Sequence, residues 1–517
     1  MSFTGLEPDR FTPPREPLST VLGALALMTL AVFLILSPIL HLSDWSAPIT
    51  NLNVLEAVAW REGRLHLSTP LGQDPRYRPT DTAFVNGRVY NIFPPFMSFF
   101  SYAALTLQSW QGFDDALARE AADPGTSAIY APWYVLLVFW PLPIAAFWAA
   151  RESILAAQRP GPLAGSTGCP SPPTLTPSIG AALIAAYWML GTPLTRLLYN
   201  CQTAATNELN HVLAGTGLLL VAGDLVHRRR MWIAAVGLIW AMWSRQLTVF
   251  YLLALLGLVW SAWRTRKQGR STARGSNPSP SLESPAVAAN PAQSQSLLMP
   301  EYASASTVVA TPLPSPIQDA PTDPARIVRR GLIAALLVII VGGGALATLN
   351  TLKFGHPFDT GYAAIYAGRE KDLYAKRYLR YQKLFDVRFL PENFYWMNLA
   401  PPTIEVRRMT AIISGEGDGT ALWITSPLLL LVLIAARSWW RDPARRALML
   451  ASFVVVFGFL CYHNTGSLQR GFHRFSMDVV PIWLIVIAPY AVTRRALPFT
   501  LACLAYSTLY FHFLCRN

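Results

Sequence analysis

Residues 20–42 read TVLGALALMTLAVFLILSPILHL, an apolar run without an Asp, Glu, Lys or Arg. A helix needs roughly 20 such residues to cross a bilayer. Lipid cannot satisfy backbone N–H and C=O groups, so such a run is read as a transmembrane helix. It exceeds the roughly 7–15 apolar residues of a cleavable leader, and is expected to persist as the first span behind a cytoplasmic segment, residues 1–19.

Outward from this stretch the pattern repeats. Spans are expected at 128–150, 178–195, 209–226, 231–244, 247–263, 331–350, 421–437, 446–462, 478–493 and 496–514. Segment 92–110 is ambiguous and is read as re-entrant or interfacial. The fold class is an all-α polytopic membrane bundle of about eleven spans, within a range of roughly 10 to 13. Composition agrees: of 517 residues, 52% are hydrophobic and 14% charged, against about 25% charged in soluble domains. The net charge of +13 sits mostly on arginines at span ends. It forms no separate basic domain, so a nucleic-acid partner is not expected. The five cysteines are scattered, with neither metal-ligand nor disulfide-framework spacing.

Orientation follows from the turns. Arginines at 228–230, 264–267, 329–330, 437–446 and 494–495 belong inside by the charge rule. Two large outer loops then result, 43–127 and 351–420. The second is rich in Lys and Arg, but loops beyond roughly 60 residues escape that rule. An N-terminal membrane region, 20–263, and a C-terminal one, 331–517, are joined by a cytoplasmic linker, 264–330. Its Pro, Ser, Ala and Thr content cannot bury a core, and it is read as disordered. The expected location is the inner (plasma) membrane, with the working face on the periplasmic side.

The polar residues with chemical content gather at that face. In the first loop, NLNVLEAVAWREGRLHL reads as an amphipathic helix on the membrane, and PTDTAFVNGRVYNIFPPF follows. Asp81 there sits just before a segment entering the bilayer, where a partly desolvated carboxylate suits a general base. The bland account is a turn-capping Asp, and Asp44 beyond the first span reads similarly. Glu208 opens an apolar helix, with His211 on the same face. Arg245, in IWAMWSRQLTVFYLL, interrupts two apolar stretches, as a phosphate or carboxylate ligand would; snorkelling is the alternative. In GSLQRGFHRFSMDVVP, residues Gln469, Arg470, His473, Arg474 and Asp478 cluster at a membrane mouth suited to a polyanionic lipid head. Arg88 and Tyr90, then His356, Asp359 and Tyr362 in LKFGHPFDTGY, and Asn398 in PENFYWMNLAPP are substrate-binding candidates, with Gln469 and Asp478. KDLYAKRYLRYQKLF reads as a basic interfacial helix.

With these segments in order, the chain resembles the bacterial phospholipid-carrier-dependent glycosyltransferases of the protein mannosyltransferase type, with the GT-C fold (glycosyltransferase family 39-like). The resemblance rests on EAVAWREGRLHL, DTAFVNGRVYNIFPPF, GTPLTRLLYN, GLIWAMWSRQLTVFYLL, KFGHPFDTGY, GTALWITSPLLLL and GFHRFSMDVVP. It implies transfer of a hexose or pentose from polyprenyl phosphate to a glycan, lipid or protein acceptor outside, with inversion. It further implies an assisting carboxylate in the first outer loop, and basic residues on the phosphate. Arg245, Arg470 and Arg474 take that role, with His473 beside them. Relatives similar to aminoarabinose lipid A transferase carry an Asp-Glu pair before the first amphipathic helix. Here the place reads SAPITNLN, with no acid. Asp44 lies earlier and Glu56 within the helix. The carboxylate candidates are therefore Asp81 first, Asp44 second and Glu208 in support.

The alternatives are a flippase or transporter for lipid-linked saccharides, a ligase or polymerase joining such glycans, and a catalytically inactive relative. A divalent metal is compatible with the chemistry, but no cluster with ligand spacing demands one.

Overall fold

The computed structural model describes residues 16–42, 52–67, 81–108, 139–158, 175–200, 208–275, 324–366, 373–407, 410–413, 419–466 and 471–515. The chain is mostly helical. In order come α1 (Leu18–Leu42), α2 (Leu52–Arg61), the hairpin β1 (Thr82–Val85) and β2 (Arg88–Asn91), and α3 (Phe96–Gln108). Next are α4 (Pro141–Gln158), α5 (Pro177–Leu190), α6 (Leu209–Gly223), α7 (Trp232–Ser244) and α8 (Leu252–Gly275). After the linker follow α9 (Pro324–Leu337), α10 (Ala345–Phe354), α11 (Leu373–Tyr381), α12 (Leu390–Asn398), and the hairpin β3 (Ile404–Arg407) and β4 (Thr410–Ile413). The chain closes with α13 (Pro443–Leu460), α14 (Val480–Ala491) and α15 (Leu497–Leu509).

Among the described residues, five helices are long and apolar enough to cross a membrane: Leu18–Leu36, Leu209–His227, Gln246–Gln268, Pro324–Phe354 and Pro443–Leu460. Three shorter apolar helices accompany them, α5, α7 and α14. Burial sorts them into layers. Leu209–His227 is 94% buried, against 17% for Leu18–Leu36 and 22% for Pro324–Phe354. A helix apolar all round and enclosed by protein is a bundle core; one apolar but exposed is a lipid-facing wall. The core is α5, α6 and α14 packed with α4 and α7. Small residues let backbones approach there. A Cβ built on Gly217 of α6 meets Gly237 O of α7 at 2.4 Å. The wall helices α8 and α9 pack on each other, and α8 also packs on α13.

Several expectations are corrected. The fold is not purely helical: β1–β2 and β3–β4 are antiparallel hairpins. Asn86 (φ 51) and Gly87 (φ 76) supply the left-handed pair of a two-residue hairpin turn. The helix expected to end at 150 runs on to Gln158, so Arg151 and Glu152 lie inside it rather than in a turn. Glu152 is buried there on His227. The linker is shorter than 264–330, because α8 continues to Gly275 and α9 starts at Pro324. The stretch 421–437 is not one helix. It breaks into Leu422–Thr425, Pro427–Leu430 and Leu431–Ile434, followed by Ala436–Arg441, with Pro427 lacking the N–H a continuous helix needs. Finally, α2 does not lie on a surface. Asn53, Leu55, Glu56, Ala57, Val58 and Ala59 are all buried.

Candidate functional site

The chain leaves helical geometry at Arg245, which is extended (φ −147, ψ 112) between α7 and the 3-10 turn Gln246–Tyr251. Thr248 secures the break: its N–H and hydroxyl donate to Arg245 O at 3.1 and 2.7 Å. The Arg245 side chain is thereby freed to donate from Nε to Asp478 Oδ2 at 3.1 Å. Asp478 ends the 3-10 turn Arg474–Asp478 just before α14 and is fully buried. Its other oxygen lies 3.0 Å from His211 Nδ1, one turn into α6. Its backbone O accepts from Tyr251 at 3.0 Å. Two side chains thus converge on the carboxylate and a third on its backbone carbonyl, which is how a buried charge is made tolerable.

Phe475 is the hub of this assembly. The guanidinium carbons of Arg245 and Arg474 each lie 5.3 Å from its ring centroid. His211 stacks on it at 5.8 Å, and Phe459 and Tyr462 pack at 5.7 and 5.9 Å. Two cations on one phenyl ring hold each other close in a partly dry setting, where the ring quadrupole offsets some of the repulsion. Arg474 approaches Glu208 Oε1 at 4.0 Å. Among the described residues, Arg474 Nε and both amide atoms of Asn210 are buried without a hydrogen-bond partner. Buried polar atoms in that state are poised for a ligand or water.

Asp81 stands beside this cluster. It precedes β1, half-buried, with its backbone in the left-handed region (φ 67). Asp tolerates that region better than most residues, but at a cost. Such strain is typical of functional positions. The Tyr362 phenol ties the groups together. Desolvation raises it above its ordinary value, Asp81 and Asp478 push it the same way, and Arg245 and Arg474 oppose them. One hydroxyl thus feels both arginines and both aspartates.

A second polar cluster lies beneath the β1–β2 hairpin. Lys353, near the end of α10, is buried and donates to Glu56 and, at 3.1 Å, to Asn91 O. Glu56 Oε2 also accepts from Ser98 at 2.5 Å and Asn91 Nδ2 at 2.9 Å. Asn91 pairs with Thr82, the neighbour of Asp81. The pair therefore anchors the hairpin that carries the Asp81 carboxylate. Across the mouth, Asn393 of α12 donates to Leu460 O at 3.0 Å and Tyr462 O at 2.6 Å, which caps α13 and fixes the Tyr462–His463 corner.

The sequence candidates divide accordingly. Asp81, Glu208, Arg245, Tyr362, Arg474 and Asp478 come together. Asp478 is fully enclosed and bonded to protein groups, so it positions Arg245 and His211 and does not itself touch a substrate. Arg474 turns to Glu208. His473 is buried, and its Nδ1 accepts from Ser476 N at 3.1 Å and caps a turn, so that nitrogen is committed within the protein. Asn398 is also structural, accepting from Trp423 Nε1 at 2.9 Å and donating to Phe394 O at 3.1 Å. His356 and Asp359 close their own loop, accepting from Phe358 N and Gly361 N. Tyr90 is buried edge-on to Phe354 at 5.9 Å, while Arg88 is exposed beside the hairpin turn. Asp44, Gln469 and Arg470 lie outside the described residues.

Phe475 and Lys353 are functional or supporting residues that the sequence pattern does not single out. Lys353 carries a readable signal, a lone cation closing a long apolar helix, and Glu56 a matching one within NVLEAVAW. No family model, curated protein or solved structure matches the chain.

Proposed function

We propose that this chain is an integral membrane glycosyltransferase that moves a sugar from a polyprenyl-phosphate carrier to an acceptor at the outer membrane face. The single observation behind this reading is the pairing of two ring-held arginines with a strained, half-buried Asp81 at one mouth of the bundle. Arg245 and Arg474 receive the carrier phosphate. Asp81 takes the proton from an acceptor hydroxyl as its oxygen attacks the anomeric carbon. The bond from that carbon to the phosphate oxygen breaks with inversion, and the negative charge developing on the leaving polyprenyl phosphate falls to the arginines. Fixed cations in a partly dry site serve such charge well. Glu208 and Asp478 hold the guanidiniums in place. In this reading the bundle is GT-C-like with about eleven spans, sits in the inner membrane, and works on its periplasmic side. The electrophilic role falls to the arginines.

A transporter of lipid-linked saccharide is the second reading, favoured by the π-turn Val338–Gly344 that interrupts the helix running from α9 into α10. Its Gly342 O accepts from Trp243 Nε1 at 3.1 Å and packs near Ile239 and Met242. That apolar setting suits a packing joint better than a polar substrate path. The test is sugar transfer from a panel of synthetic polyprenyl-phosphate sugars by purified protein, with Asp81→Asn, Asp44→Asn and Glu208→Gln beside the wild type. Transfer lost in Asp81→Asn with folding kept supports the enzyme. Lipid-linked sugar bound without transfer or hydrolysis supports the transporter.

A further inference from the structure

An open furrow runs between α8 and α13, away from the candidate site. It encloses about 580 Å³, and its lining changes character along its length. At one end stand Leu253, Gly257, Leu450 and Val454; at the other, Arg264, Thr265, Gln268 and Arg446. Trp260 marks the boundary and is 58% exposed. The distance from Leu253 to Gln268 along the helix is about 22 Å at 1.5 Å per residue. That matches one leaflet of hydrocarbon, roughly 15 Å, plus a head group.

The two helices run antiparallel, so the basic ends coincide. Arg264 follows the apolar part of α8 and is exposed. Arg446 lies in the first turn of α13, 5.9 Å above the Trp440 ring, and donates to Trp440 O at 3.3 Å. The neighbouring acid, Asp442, is occupied with capping α13: it accepts from Ala444 N and Arg445 N at 2.8 and 3.3 Å. Two guanidiniums therefore face the furrow's polar end, and the charge rule places that end on the inner side.

We infer that this furrow is a binding site for an anionic glycerophospholipid, with an acyl chain along Leu253, Gly257, Leu450 and Val454 and the phosphate between Arg264 and Arg446. An apolar trough alone takes any lipid. The arginine pair adds selection for negative head groups, because each basic side chain near the membrane surface contributes roughly 1 kcal/mol, or about fivefold in affinity.

The experiment uses the full-length protein, delipidated in non-ionic detergent. It is titrated with dioleoyl phosphatidylglycerol or dioleoyl phosphatidylcholine and read by native mass spectrometry. Expected is tighter binding of the glycerol lipid, weakened about fivefold by Arg264→Gln and by Arg446→Gln, with a smaller loss for the choline lipid, whose own ammonium already offsets its phosphate. Arg494→Gln with Arg495→Gln is the control for a diffuse basic surface. Equal affinity for the two lipids overturns the proposal. So does an undiminished preference in the double Arg264→Gln, Arg446→Gln variant, or an equal loss in the control. Arg264 is exposed, so its single variant tests the site even if Arg446→Gln disturbs α13.

Discussion

The Glu56–Lys353 pair and the Asp478–Arg245 pair are both buried ion pairs at the same end of the bundle, yet they are built differently. In the first, the side chains are 0% and 2% exposed, and the carboxylate is also bonded by Ser98 and Asn91. In the second, Asp478 is fully enclosed, but Arg245 is 16% exposed, and Arg474 beside it is 15% exposed. The first pair is closed and serves geometry. The second holds its acid inside and offers its cations outward, beside Asp81 and Tyr362. Burial alone does not mark a functional charge, because structural ion pairs are buried as well.

The sharpest way to break this comparison is catalytic. Asp81→Asn is expected to lower transfer by about 10²–10⁴-fold, the usual worth of a general base. Arg245→Gln is expected to lower it by about 10²–10³-fold through lost charge stabilisation. Asp81→Asn keeps the wild-type melting temperature to within a few degrees, whereas Arg245→Gln also takes a partner from the buried Asp478 and is expected to melt lower. Lys353→Met inverts the pattern. It strands Glu56 in the interior and is expected to cost about 3–5 kcal/mol of stability, read by thermal melting in detergent. A Glu56→Leu, Lys353→Met double variant recovers most of that loss, because both charges are gone. If the double variant melts no higher than the single one, the closed pair is more than a staple.

How much of this is legible in the sequence follows from period and length. The apolar runs at α1, α6 and α13 announce themselves, because roughly 20 consecutive apolar residues suit a bilayer span and little else. The segment near 421–437 misleads, since an apolar count does not register that Pro427 restarts the turn. The Asn86–Gly87 hairpin is readable from a two-residue signal, but the aromatic residues around it draw the reading toward a membrane-entering segment. At the site, Arg245 and Asp81 stand out as isolated charges at apolar boundaries. Phe475 does not, because nothing local distinguishes a phenyl ring that serves two arginines from one that fills a core. His473 misleads for a related reason: its neighbours in sequence are basic, but its own nitrogen is committed to Ser476.

A pH series separates these histidines from the arginines. Burial pushes His473 down to about 3 and His463 down to about 4, from about 6.5 in the unfolded chain. Both are neutral when folded. Below pH 6.5 the unfolded state binds protons that the folded state refuses, so stability is full above about 6.5 and falls as pH drops toward 4 and then 3. The melting temperature is expected to decline across that window. The slope is expected to be shallower in a His463→Asn variant, where one of the two groups is removed. A slope unchanged by that substitution assigns the acid sensitivity elsewhere.

The smallest expected effect tests whether the closed pair acts through the hairpin. Asn86 is exposed and makes its contribution through backbone conformation, with φ at 51. Ala at that position loses roughly 1–2 kcal/mol in adopting the left-handed region, whereas Gly adopts it freely. Asn86→Ala is therefore expected to lower stability by about 1 kcal/mol and Asn86→Gly to leave it nearly unchanged. The informative quantity is transfer activity. β1–β2 pairs Thr82, next to Asp81, with Asn91, which Lys353 holds. If Lys353 alone sets that end of the hairpin, the turn at the far end is free to loosen and Asn86→Ala keeps kcat near the wild-type value. If kcat falls tenfold or more while melting shifts little, the whole hairpin acts as a lever on the Asp81 carboxylate, and the division between a structural and a working ion pair gives way to one continuous support.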